Sequence, residues 1–144
     1  MRLRMDRRRV LMLAAALSNM PSAMAAAATL AFNELYVRGT EPTEKTRSLA
    51  GKLVTMQGFM APPLKAEADF FVLTKMPMAV CPFCDSTMDW PDDIVLVLTD
   101  GLVDIQPFTA SITVEGVLSI GFRKEVETGF VSFVRLESAR FWRN

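Results

Sequence analysis

The side chains able to do chemistry are concentrated in one stretch, Met76 to Met88 (MPMAVCPFCDSTM), which holds both cysteines of the 144-residue chain. Cys81 and Cys84 stand at C-x-x-C spacing, close enough for two thiolates to grip one ion. Met76, Met78 and Met88 add thioethers, and Asp85 or Asp89 can add a carboxylate oxygen. The chain contains no histidine. That removes both the commonest metal ligand and the usual general base at neutral pH. A sulfur-rich donor set without imidazole favours Zn(II) or Cu(I) over hard cations. A structural zinc site takes four ligands. Cys81 and Cys84 supply two of them and need Asp85, a methionine such as Met78 or Met88, or a second chain to complete the shell.

Two other chemistries fit the same residues. Cys81-Pro82-Phe83-Cys84 resembles the dithiol motif of glutaredoxin-like and other thioredoxin-fold proteins. There the first thiol is acidified by the N-terminus of a long helix. Pro91 follows Cys84 so closely, with the apolar run Ile94 to Leu98 directly behind it, that about two helical turns fit between them. No β-α-β pattern precedes the motif. A redox pair on a loop remains open, and so does a local disulfide, which at this spacing closes too short a ring to constrain the unfolded chain much. Other candidates are weaker. Ser86 has no histidine to activate it and no glycine-rich phosphate loop exists. Asp92, Asp93, Asp100 and Asp104 sit at turn positions, where aspartate bonds to its own backbone. Met56 and Met60 read as core packing, and Trp90 as a cap on the barrel end.

The N-terminus bounds where this chemistry happens. Arg2, Arg4, Arg7, Arg8 and Arg9 precede the short apolar run Val10 to Leu17, and Ala23-Met24-Ala25 offers small residues for cleavage. Residues 1–25 therefore read as a secretory signal peptide cleaved near Ala25. Arg7-Arg8-Arg9-Val10-Leu11 resembles the twin-arginine type, with Asp6 where Ser or Thr is usual; the general secretory route is the alternative. The apolar run is too short for a retained transmembrane helix, so the expected location is the periplasm. Cleavage takes five arginines and Asp6 from 16 basic and 16 acidic residues, leaving 11 against 15 and a net charge of about −4. With no basic cluster, no nucleic-acid partner is expected.

The elements that must position the loop are mostly strands. Residues 26–50 form an N-terminal extension. In it Thr29 to Arg38 is a short helix or edge strand, and Thr43 caps a helix over Glu44 to Ala50 that Gly51 stops. Residues 51–144 carry five strand signals. Leu53 to Met60 alternates, with Gly58 marking a bulge or bend. Phe70 to Thr74 is apolar throughout, as in a strand buried on both faces. Ile94 to Leu98, the alternating Ile112 to Ile120, and Phe130 to Leu136 complete the set. Lys65 to Asp69 and Arg123 to Thr128 read as polar hairpin loops, and Phe141-Trp142 docks the C-terminus. The expected fold is all-β: a five-stranded OB-like Greek-key barrel with short N-terminal helical segments, a small β-sandwich being the alternative.

The segments GKLVTMQGFMAP (Gly51 to Pro62), FFVLT (Phe70 to Thr74), PDDIVLVL (Pro91 to Leu98) and ITVEGVL (Ile112 to Leu118), with the cysteine loop between the second and third, resemble a family of small exported bacterial proteins of unknown function. In that family a GKxVxxxGFxxP strand precedes a cysteine-bearing loop on an OB-like barrel. The resemblance spans roughly Ala50 to Phe141 and implies a fold and a periplasmic or lipid-anchored location rather than a reaction. This chain has no cysteine after the apolar run to take a lipid. The function expected is that of an exported binding or accessory protein, not an enzyme, with Cys81, Cys84, Asp85, Met78 and Met88 around Zn or Cu(I). The alternatives are a thiol-disulfide protein using Cys81 and Cys84, or an interaction module for a membrane transporter or another periplasmic protein.

Overall fold

The computed structural model describes residues 26–63, 65–80, 91–126 and 129–144. Three short strands, a 3-10 turn and one α-helix come first: β1 (Ala28–Thr29), the 3-10 turn Phe32–Glu34, β2 (Tyr36–Arg38), β3 (Glu41–Pro42) and α1 (Glu44–Leu49). Five longer strands come after them: β4 (Leu53–Met60), β5 (Phe70–Thr74), β6 (Ile94–Thr99), β7 (Ser111–Lys124) and β8 (Val131–Arg143). The fold is all-β, as expected.

The five long strands pair in a ring. β4 is antiparallel to β5, β5 to β6, β7 to β8, and β4 to β7, while β6 and β8 run parallel. Because β4 bonds to both β5 and β7, one sheet closes on itself. This is a small barrel, and among the described residues no second sheet faces it to make a sandwich; the other sheet there is the β2–β3 pair. Alternation drives the closure: Val54, Met56 and Met60 of β4 and Ile112, Val114 and Leu118 of β7 turn inward and are buried. Phe71 of β5 meets Phe141 of β8 edge to face at 5.1 Å across the interior, the geometry that ring quadrupoles favour.

The N-terminal extension belongs to the same core. β1 lies parallel to β4 with Thr29 opposite Thr55, and Leu30, Phe32 and Leu35 join the barrel cluster, Leu30 and Leu35 with no exposed surface. Thr43 caps α1 as expected, its Oγ1 accepting from the Thr46 N–H at 3.1 Å. The helix ends at Leu49, and Gly51 takes φ +76°, a left-handed conformation that a side chain would penalise.

Three strand details differ from the sequence expectation. Gly58 makes no bulge: its pairing with Ile112 continues the register on either side. It is needed instead because a Cβ there would lie 2.5 Å from the Thr74 carbonyl oxygen. β7 runs on to Lys124 instead of giving way to a loop at Arg123, and β8 runs on to Arg143 instead of ending at Leu136. Both strands carry an extra residue, on β7 between Ile120 and Arg123 and on β8 between Glu137 and Arg140, where Ser138 takes φ +46°. Each bulge shifts the alternation by one, so a period-two pattern read along the sequence stops there while the ladder does not.

β5 is buried on both faces, as its unbroken apolar run predicts, and so is the first part of β6. Their inner residues join the main core. Their outer residues Val72, Ile94 and Leu96 form a second cluster with Ala61, flanked by Phe70, Leu98 and Phe130.

Candidate functional site

The chemistry-bearing stretch lies in the connection from Lys75 to Asp93, between the paired ends of β5 and β6. Hairpin connections between antiparallel neighbours commonly need about two to five residues. Such a long excursion on so small a barrel needs a firm base. Thr74 provides half of it: fully buried, its hydroxyl lies 2.8 Å from the Met76 carbonyl and 3.2 Å from the Phe59 carbonyl. The Lys75 N–H supplies the rest by donating to the Asp93 carbonyl at 3.0 Å. The connection thus leaves and re-enters the barrel at one point, tied through Phe59 to β4 as well.

Of the predicted ligands, Met78 is described and is half-buried, whereas the neighbouring Met76 and Val80 are exposed. Cys81, Cys84, Asp85 and Met88, together with Ser86, Asp89 and Trp90, lie outside the described residues. Among the described residues, no three side chains of the His, Cys, Asp and Glu types gather as a metal site would require. Of the described aspartates, Asp92 and Asp93 lie in a turn, Asp100 in a bend and Asp104 in a stretch without a turn. Asp92 and Asp100 are exposed, and Asp104 accepts from the Gln106 side chain at its carbonyl and at Oδ2, 3.1 and 3.2 Å away. Met56 and Met60 are core residues, as their positions in the alternating strand predict; the Met60 sulfur also accepts the Gln106 N–H at 3.4 Å.

A polar network that the sequence does not announce lies on β7 and β8. Arg135 is 4% exposed. Its guanidinium donates to the Gly121 carbonyl at 2.7 Å, to Ser119 Oγ at 2.9 Å and to Ser132 Oγ at 3.1 Å. Among the described residues its Nε has no hydrogen-bond partner, standing 3.6 Å from Glu137 Oε1. Glu137 is shared with Arg123, at 2.8 Å, and Arg123 also reaches Glu125 at 2.9 Å. Burial, and then the neighbouring charge of Arg123, lower the Arg135 pKa, although a guanidinium stays charged at any ordinary pH. On Arg123 partial burial acts in the lowering direction, but the bonds to Glu125 and Glu137 outweigh it and its pKa is raised. Arg135 sits between Val134 and Leu136 at an outward position, where sequence alternation predicts exposure. The one sequence sign that this face is covered is the doubly apolar β6, whose Leu96 pairs with Arg135.

The groups in hand at the described surface neither make a nucleophile–base pair nor cradle a phosphate; what the barrel offers is a rigid mount for a long, sulfur-bearing connection. Among the described residues no helix is long and apolar enough to cross a membrane. No family model matches the sequence, and no curated protein matches it. In structure the chain is similar to the crystal structure of a DUF3299 family protein from Pseudomonas aeruginosa PAO1. The two share a TM-score of 0.53 at 13% identity over 83% of this chain and 97% of the other. That likeness is one of fold, to a protein whose family name assigns no activity.

Proposed function

We propose that the protein is an exported binding or accessory module of the periplasm that holds a soft metal ion, Zn(II) or Cu(I), in the 75–93 connection. Cys81 and Cys84 would be the primary ligands, with Asp85, Met78 or Met88 completing the shell. The observation that supports this reading is the mounting of the connection. Its two ends are hydrogen-bonded to each other through Lys75 and Asp93 and anchored on buried Thr74, so a long sulfur-bearing segment is held on a barrel that needs no such length to join β5 to β6. Long connections in compact domains are usually functional when they are not linkers. Thiolates with a thioether or a carboxylate suit these two ions, and a thiolate pair alone leaves the shell open to a further protein ligand or a partner.

The test is metal analysis of the chain purified under reductant. About one equivalent of zinc or copper is expected, matching one C-x-x-C pair. It should be lost in the Cys81→Ser/Cys84→Ser double variant and held less tightly in Met78→Leu. A metal-free parent whose two cysteines form a disulfide that is easily reduced would replace this reading with thiol–disulfide chemistry. A parent that binds no metal and a double variant that behaves like it in every respect would leave Cys81 and Cys84 a structural role only.

A further inference from the structure

The outer surface of β5 and β6 carries a groove of about 300 Å³ that none of the cysteine chemistry uses. Its floor is Phe70, Leu96 and Leu98, and its far wall is Val126 and Phe130, from the turn between β7 and β8. Val126 is 99% exposed. This exposed aliphatic side chain stands beside the half-buried Phe70, Leu98 and Phe130 and carries the apolar lining of the groove out to its solvent edge.

The rim is acidic. Asp69, just before β5, and Glu125, just after β7, both line the groove. The Asp69 carbonyl accepts both the N–H and the hydroxyl of Thr99, at 2.8 Å each. This draws the β6 exit against the start of β5 and places Asp100 at the same end. Glu125 Oε1 is taken by Arg123, whereas the exposed Asp69 carboxylate has no partner among the described residues. A phosphate backbone would be repelled here, since its recognition needs cations. An apolar floor with carboxylates at its margins complements a chain bearing apolar side chains and a lysine or arginine.

We infer that this groove docks an extended peptide segment of another protein, one that combines apolar side chains with lysine or arginine. The apolar side chains seat on Phe70, Leu98 and Val126, and the cation reaches Asp69, with Glu125 as a second, weaker attraction because Arg123 already engages it.

The probe is a fluorescein-labelled peptide of alternating leucine and lysine, compared by anisotropy with a leucine–glutamate peptide and a serine–lysine peptide. The leucine–lysine peptide is expected to bind at least about tenfold more tightly than either control, a difference of one decade in Kd, and to weaken as salt rises. Asp69→Asn with Glu125→Gln should loosen it by about fivefold, the scale of two exposed charge contacts, and Val126→Ser should loosen it as well. Asp69 and Val126 are exposed, so Asp69→Asn and Val126→Ser should leave the fold intact. The Cys81→Ser/Cys84→Ser variant should bind the peptide like the parent, so that failure of the metal reading and failure of this one are distinguishable. Equal binding of the leucine–glutamate peptide, indifference to Val126→Ser and Asp69→Asn, or no binding by any peptide would overturn the inference. A concentration-dependent dimer that Val126→Ser abolishes, without peptide binding, would overturn it too and assign the face to a second copy.

Discussion

At the residue scale, Arg135 is the side chain whose removal has the most to reveal. It is buried and donates to Gly121, Ser119 and Ser132, acceptors on or beside the β7 bulge and at the start of β8. Truncation leaves those acceptors without their donor and opens a void the size of a guanidinium. Arg135→Ala is expected to destabilise the fold by about 3 kcal/mol, the lower end for breaking a buried charged network, because Glu137 keeps its bond to Arg123. Arg135→Lys should recover part of this, since an ammonium is charged but cannot reproduce the planar fork. Urea denaturation of the two variants and the parent measures both. Equal stability of all three would mean that the network contributes nothing. Residue chemistry of this kind is hard to read from the sequence. An arginine in an apolar run looks the same whether its outward face meets water or a second apolar cluster. The cysteine pair, by contrast, is legible from type and spacing alone.

At the scale of elements, the five strand signals are legible because each is either an alternating or an unbroken apolar run, and the N-terminal helix because Thr43 and Gly51 mark its ends. The extensions of β7 and β8 are not, since the bulges near Gly121 and Ser138 reset the alternation that marks a strand. Gly58 shows the other limit. A glycine in a strand signals some backbone constraint, but the partner that imposes it, the Thr74 carbonyl, comes from another strand. Gly58→Ala forces a Cβ against that carbonyl at the point where β4 and β5 meet and is expected to cost about 2 kcal/mol, the middle of the range for overpacking. Gly101→Ala, where a Cβ meets nothing within 4 Å, should stay within about 0.5 kcal/mol of the parent. Thermal melts compare them. Because Thr74 also anchors the 75–93 connection, the proposed metal site would lose affinity in Gly58→Ala and keep it in Gly101→Ala.

At the scale of the whole molecule, the question is whether the N-terminal extension is an appendage or part of the cooperative unit. Its sequence suggests a separate piece, since nothing in residues 26–50 repeats the strand pattern of residues 51–144. The structure places Leu30, Phe32 and Leu35 in one cluster with Val54, Met56, Leu73, Val97, Ile112 and Leu136, which together come from all five barrel strands. β1 adds to β4 alongside them. The β4–β5 junction that closes the ring is short, with Phe59 opposite Thr74 and Met60 opposite Leu73, so part of β4's edge is left for β1 to occupy. A segment that fills the shortest seam of a barrel and buries leucines in its interior cannot leave without exposing the core. Leu35→Ala is therefore expected to cost about 3 kcal/mol, as for other fully buried leucines, and to lower the unfolding midpoint of the entire chain. Far-UV circular dichroism and tryptophan fluorescence should still trace one coincident transition, the mark of a single cooperative unit. An appendage would behave differently: Leu35→Ala would leave the main transition in place and at most add a small early one.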